Sequence, residues 1–291
     1  MVSDVVTPVA VVVSEPDPVA PLVAERWGTL PSTGEFVDGA AVRRLTPDAV
    51  VIRRPGRHIE DEGVDARLPP ELRAHHPTLV FPSVHRSEQN VHCLTVHPLG
   101  NLGPETELGG RARTVVPTDP ARMASTVRRL AEEGKALGLP ATYEATHHGP
   151  ALDLPAFFVE VGYGTDAGPS NGAVGALARC IREMEASSGD RVAMAVGGGH
   201  YAPHFTDLVL RRRWAVGQIV SRHALGLIER ATAEAAYRAT PGAEGILYAR
   251  AADADHPALA GLGPRLRDNE APVRAGAENG VTPGGRSTSG T

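Results

Sequence analysis

Four segments of the 291-residue chain carry side chains suited to acid–base or metal chemistry near neutral pH. The first is His85-Arg86-Ser87-Glu88, followed closely by His97 and Asn101 in LTVHPLGN. The second is His147-His148-Gly149-Pro150, and the third buries Glu160 within the apolar run FFVEVG. The fourth is Gly197-Gly198-Gly199-His200-Tyr201. Neutral imidazole is a good zinc ligand and also a general base near pH 7. That makes His97, His147, His148 and His200 candidate metal ligands, and His200, Glu160, Asn101 and His97 candidate catalytic groups. A metal-bound water has a pKa of about 7 and can attack an ester or amide carbonyl. The Asn101 amide or the N–H groups of Gly198 and Gly199 suit the oxyanion that follows. Arg86 and Tyr201 join those glycines as candidate substrate contacts, and Arg211, Arg212 and Arg213 form a candidate phosphate clamp. A metal-free site, with Asn and His orienting water, fits the same residue types.

Each feature also has a plainer explanation. The paired imidazoles can cap turn carbonyls, the three glycines can make only a tight turn, and the arginine run can be a solvated face. Glu160 can be a structural carboxylate bonded to backbone N–H groups. What favours a site is the distribution of histidine: of 12, ten fall between His75 and His223. A solvated surface has no need of imidazole.

Composition removes several classes. Two cysteines, Cys93 and Cys180, support neither a disulfide framework nor a CxxC zinc site, and behave most simply as small buried hydrophobes. HExxH and Walker motifs are absent, which removes support for the common zinc proteases and P-loop enzymes. The net charge of −5 offers no global basic field, which counts against a simple RNA-binding module. Lys135 is the only lysine among the 29 basic residues, a bias that a GC-rich genome explains. No apolar run approaches the ~20 residues of a membrane span, and residues 9–13 make too short a run for a signal peptide. A cytoplasmic protein, monomeric and without a membrane partner, is the expectation.

The elements that must position these residues alternate. Short apolar runs at 9–13, 49–53, 78–81, 94–96, 143–146, 156–161, 191–196, 216–220 and 246–250 read as strands. Residues 118–138 form the clearest helix, with Thr118 or Asp119 as cap, Pro120 in its first turn and Gly138 at its end. Its Arg128–Glu132 and Arg129–Glu133 pairs have the i,i+4 spacing of a wet face. Further helices are expected at 21–27, 172–188 and 225–239, and residues 54–76 should be a loop with at most a short helical turn. The pattern predicts a single α/β domain over residues 1–252, with a mixed, mostly parallel sheet flanked by helices. Residues 253–291 lack any apolar period and are expected to be a disordered tail.

Together, HRSE with LTVHPLGN, THHGP, FFVEVG, GGGHYAP and VGQIVSRHAL resemble the archaeal-type D-aminoacyl-tRNA deacylases, a family shared with plants. The matches are collinear from about Val11 to Arg250, and the early SEPDPVA segment fits the same pattern. Where the family has Gly-His-Ile, this chain has Gly217-Gln218-Ile219, and the tail has no counterpart. The resemblance implies a hydrolase that cleaves the ester between a D-amino acid and tRNA. It further implies a fold similar to peptidyl-tRNA hydrolase and nucleoside phosphorylases, and two zinc ions per chain. The alternatives are a zinc-dependent amidase or peptidase acting on a small molecule, or a non-enzymatic RNA-binding module. A KM that rises steeply with salt would separate a tRNA substrate from a small neutral one.

Overall fold

Strand β1 (Val9–Ser14) is buried along its whole length, with Val9, Val11 and Val13 in one apolar cluster and Ala10 and Val12 in another. Side chains alternate across a strand, so a continuous apolar run can only be satisfied by cores on both faces. The computed structural model describes residues 7–86, 90–164 and 168–275. Numbered along the chain, β1 is followed by α1 (Ala20–Glu25), β2 (Ser32–Val37), β3 (Ala40–Thr46), β4 (Ala49–Arg54), α2 (Pro70–Ala74), β5 (Thr78–His85) and β6 (Cys93–Pro98). Next come β7 (Gly100–Asn101), β8 (Thr114–Val115), α3 (Pro120–Leu137), β9 (Ala141–Tyr143), β10 (Ala156–Gly162) and α4 (Asn171–Arg182). The last part holds β11 (Arg191–Val196), α5 (Pro203–Arg211), β12 (Trp214–Val220), α6 (Arg222–Leu225), α7 (Arg230–Arg238), β13 (Ile246–Tyr248) and β14 (Arg265–Leu266).

The fold is α/β, with a mixed, mostly parallel sheet flanked by helices. The main sheet has the order β2-β3-β4-β1-β5-β10-β6-β9. Its centre, β4-β1-β5-β10, is parallel, while β6 runs antiparallel to β10. A second sheet, β12-β11-β13-β14, is parallel throughout. Helices α1, α3, α4 and α5 supply Val23, Met123, Leu177 and Phe205 to the cluster on one face of the main sheet. The opposite face is covered by Ile59, Val64, Leu68, Leu152 and Leu154, from irregular segments. Helix α7 contributes Ala233 and Ala236 to a third cluster with Met194 and Val196 of β11. No helix among the described residues is long and apolar enough to cross a membrane.

The two sheets are joined where the chain leaves β9. Glu144 N–H donates to Val96 O in the main sheet at 3.0 Å, and Thr146 N–H donates to Ile219 O of β12 at 2.9 Å. Gln218 locks this seam: its Oε1 accepts from Thr146 Oγ1 at 2.7 Å and its Nε2 donates to Val116 O at 2.6 Å. Buried and bonded at both ends, Gln218 is a cross-link of the fold.

Several expectations need correction. The segment from Asp253 to residue 275 is packed: Leu259, Leu266 and Ala271 are buried, and β14 pairs with β13. Its few apolar residues are spaced irregularly because they plug gaps at the edge of the second sheet, which no periodicity reveals. Residues 276–291, the rest of the expected tail, lie outside the described residues. Of the helix expected at 225–239 only Arg230–Arg238 forms, as α7, while Leu225 is the last residue of the separate α6; the one expected at 172–188 stops at Arg182. Arg128 is not on a wet face: it is buried, lies 2.5 Å from Asp190 and donates to the carbonyls of Val209 and Trp214. The β2–β3 hairpin had no apolar run to announce it, only the Asp38-Gly39 turn with both residues at positive φ.

Candidate active site

Strand register brings the first acidic and basic groups together. In β10, Glu160 pairs with Ser83 of β5 on one side and Thr95 of β6 on the other, and Phe158 pairs with His97. The His97 ring stacks on Phe158, with centroids 4.9 Å apart and planes within 2°. His97 Nε2 then lies 3.7 Å from Glu160 Oε2, and His85, at the end of β5, places Nδ1 3.5 Å from the same oxygen. Both histidines and Glu160 are buried.

The seam adds the rest. Glu144 is fully buried; its Oε1 lies 3.0 Å from His85 Nδ1, and its Oε2 lies 2.9 Å from His200 Nε2 and 3.6 Å from His147 Nε2. His200 arrives because Ala145 N–H donates to His200 O at 2.8 Å, pinning the loop after β11 against the seam. His147 sits 4.0 Å from His97 and 4.8 Å from His200, ring centroid to centroid, and His148 is 4.4 Å from His147. His148 has φ +43°, a left-handed conformation rare outside glycine, held by Gly100 N–H donating to His148 O at 2.8 Å. Gly149 permits this turn: a Cβ there would come within 2.1 Å of Gly110 N.

Three histidines share one device. His97, His147 and His148 each donate Nδ1–H to a backbone carbonyl, of Pro98 at 3.1 Å, Ala145 at 2.8 Å and Gly149 at 2.7 Å. That fixes the ring and turns Nε2 towards its neighbours, as in histidines prepared to ligate a metal. The ligand atoms of these three lie within 4.8 Å of one another, and so do those of His85, Glu144 and His200. His97 Nε2 and both Glu144 carboxylate oxygens are buried without a well-formed hydrogen bond. Buried polar groups are ordinarily satisfied, so this donor set fits a divalent ion such as zinc.

The electrostatics divide the cluster. Burial disfavours charge on every member, yet His85 and Glu144 reinforce each other. His85 is raised to about 12 by Glu144 and Glu160, against the effect of burial. Glu160, which burial alone would raise, is instead lowered to about 2 by His85 and His97. Glu144 is likewise held well below the usual carboxylate range by His200 and His85 despite its burial. His147 and His148 move the other way: burial, then the neighbouring His97, lowers His147 well below its ordinary value and His148 to about 4. The site thus keeps two carboxylates ionised and two imidazoles neutral, the forms in which all four bind cations.

A cavity of about 550 Å³ opens on one side of the cluster, lined by Asp17, His58, Ser83, His85, Arg86 and Glu160 among others. A groove of about 390 Å³ lies on the other, with Asn101, Glu105, Glu107 and Leu227 in its wall. His147, His148 and His200 border both. Volumes of this order suit small-molecule sites.

The structure brings together His97, His147, His148, His200 and Glu160, with Tyr201 donating to or accepting from His85 Nε2 at 2.8 Å. Arg86 lines the first cavity; Ser87 and Glu88 lie outside the described residues. Asn101 lines the groove but spends its amide on Gly109 O at 2.8 Å, and Gly198 and Gly199 line neither space. The arginine run is elsewhere: Arg211 pairs with Asp207, Arg212 donates to Ala271 O and Arg213 pairs with Asp190. They stand at the start of β12, about 20 Å of strand from its site end. Their charges tie down local backbone and carboxylates, so the clamp expected from the run is not at the site. His85 stood in a singled-out segment without a role, and Glu144 was missed as a site residue. Their signal was a charged group at the end of an apolar strand, readable only once the partner strands are known.

Residues 73–257 match a family model described as D-aminoacyl-tRNA deacylase. A D-aminoacyl-tRNA deacylase of Thermoplasma acidophilum is 34% identical over 172 residues, covering 59% of this chain and 67% of that protein. One from Methanosphaerula palustris is 38% identical over 222 residues, covering 75% of this chain but 48% of that protein. The chain therefore spans between about half and two thirds of the length of these curated relatives. The crystal structure of a conserved protein of unknown function superposes with a TM-score of 0.73 at 23% identity, covering 83% of this chain and 86% of that one, which establishes the shared fold.

Proposed function

The chain belongs to the D-aminoacyl-tRNA deacylase family, and on that premise we propose that it hydrolyses the ester joining a D-amino acid to the 3′ end of tRNA. The observation that carries this reading is the meeting of His85, His97, His147, His148 and His200 with Glu144 and Glu160 beside a cavity of about 550 Å³. Such a constellation has no use in a folded core, where each buried ionisable group costs free energy unless it is paired.

Zinc is the group the donor set suits: His97, His147 and His148 would hold one ion, and His85, Glu144 and His200 a second. Bound there, zinc polarises a carbonyl and lowers the pKa of water. The remaining chemistry belongs to the chain. Buried Glu144 and Glu160 keep the cluster negative enough to accept cations and hold the imidazoles in place. His148 stays neutral near pH 7 with Nδ1–H held by Gly149 O, so its Nε2 lone pair is free to take up an ion. His200, its side chain 48% exposed and its Nε2 towards Glu144, can offer its other ring nitrogen, as Nδ1–H, in a hydrogen bond to the departing ribose oxygen.

The test is hydrolysis of D-Tyr-tRNA and L-Tyr-tRNA with and without a chelator. Release of D-tyrosine alone, abolished by the chelator and restored by zinc, is expected. Equal hydrolysis of both substrates, or of neither, would refute the deacylase reading; full activity in the chelator would remove the zinc. His200→Ala should lower kcat by orders of magnitude with little change in thermal stability.

A further inference from the structure

The histidine cluster is a ridge between two spaces of opposite charge. On one side, the larger cavity has Arg86 and Arg57 in its lining, both exposed. Arg57 pairs with Glu60 at 2.7 Å, whereas Arg86 makes no hydrogen bond or ion pair with the described residues and has Tyr163 as an electrostatic neighbour. The acidic groups in that lining are committed: Asp17 accepts from Val19 N, Ala20 N, Val84 N and Ser83 Oγ, and Glu160 faces His85 and His97. On the other side, the smaller groove carries Glu105 and Glu107, exposed and without a polar partner among the described residues, with His223 the one basic side chain facing them outside the ridge. Its apolar wall is Leu108 and Leu227, which are 54% and 37% exposed. Large exposed leucines beside a polar site are a surface in want of an apolar contact.

An aminoacyl-tRNA end is itself divided in charge. The nucleotide side of the ester is polyanionic; the amino-acid side carries an ammonium group and a side chain that is often apolar. Resting on the deacylase reading above, we propose that the substrate lies across the ridge. The terminal nucleotide occupies the larger cavity with its phosphate towards Arg86. The aminoacyl group occupies the groove, with its ammonium towards Glu105 and Glu107 and its side chain on Leu108 and Leu227. The reverse placement would set phosphates against the Glu105 and Glu107 carboxylates and the ammonium against the Arg86 guanidinium, a like-charge arrangement that specific sites avoid. In the proposed placement the ester carbonyl falls at His147, His148 and His200, which with Leu108 are the residues that line both spaces. The larger of the two volumes also receives the larger of the two substrate halves.

The experiment compares wild type, Arg86→Gln and Glu105→Gln/Glu107→Gln on D-Tyr-tRNA and N-acetyl-D-Tyr-tRNA between 50 and 200 mM salt (roughly the range over which phosphate contacts weaken steeply). In Arg86→Gln, KM should rise about tenfold for both substrates and the slope of log KM against log salt should fall by about one, as loss of a phosphate contact requires. In the double Glu variant, KM for D-Tyr-tRNA should rise roughly fivefold with the salt slope kept, because a lost carboxylate–ammonium contact releases no phosphate counterion. The wild-type preference for the free amine over the N-acetylated substrate should shrink towards unity in that variant alone. The opposite pattern overturns the placement: a lower KM in the double Glu variant, from relief of repulsion on phosphates, or an unchanged salt slope in Arg86→Gln. A wild type that leaves D-Tyr-tRNA intact overturns the deacylase reading, and the placement with it. Wild-type hydrolysis with the variant pattern reversed overturns the placement only.

Discussion

Replacing Glu144 by Gln removes one charge from the centre of the cluster while keeping its shape. Glu144 Oε1 is 3.0 Å from His85 Nδ1, with both side chains buried. At an effective dielectric constant near 20, unit charges that close attract by roughly 5 kcal/mol, equivalent to about four pKa units. His85 should therefore fall from about 12 to about 8 in the metal-free variant, with Glu160 as its remaining carboxylate. The sign for stability follows. The folded value of His85 is raised above its ordinary 6.5, so its contribution is complete below about pH 6.5 and is lost as pH rises through 12. In Glu144→Gln the loss should be over by about pH 8, leaving the variant selectively weakened in alkali. The assay is an NMR titration of the His85 ring in metal-free protein, paired with thermal melts at pH 6 and pH 9. Zinc bound per chain and single-turnover deacylation should both fall, since Glu144 belongs to the second ligand group. A His85 titration unmoved by the substitution would refute the electrostatic account. Normal metal content and turnover would refute the placing of Glu144 in the site.

Metal uptake should strengthen with pH: His85 and His97, which burial would discharge but neighbouring carboxylates keep raised, must lose their protons. Affinity should climb about tenfold per pH unit for each proton displaced, read by titration with zinc from pH 6 to 8. Arg128→Ala leaves the buried carboxylate of Asp190 with one cation, Arg213 at 3.2 Å, and the Ser187 hydroxyl, and should cost about 3–5 kcal/mol in denaturant unfolding. A cost below 1 kcal/mol would return Arg128 to the surface role its spacing suggests. Truncation after residue 252 removes Leu259, Leu266 and Ala271 from the core, together with the Asp268 carbonyl that accepts from Trp214 Nε1 at 2.9 Å. It should destabilise by on the order of 5 kcal/mol, a loss to be measured against a chain ending at residue 275.

The sequence by itself determined whatever depends on neighbours along the chain. The β-branched run of β1 and the capped helix from Pro120 to Leu137 are local decisions, made by steric preference, capping and apolar period. The motif histidines were also legible, because imidazole is sparingly used and its clustering is visible in one dimension. What only the tertiary structure decided is which charges meet. Glu144 and His85 are 59 positions apart in numbering yet 3.0 Å apart in space, brought there by register and by the seam between two sheets. Gln218 looked like a lost histidine and is a cross-link; Arg211, Arg212 and Arg213 looked like a clamp and hold the far end of β12. The physical reason is common to all of these. A charged side chain buried in a protein is defined by its partners, and those partners are supplied by strand order and register, which long-range packing sets and local sequence does not.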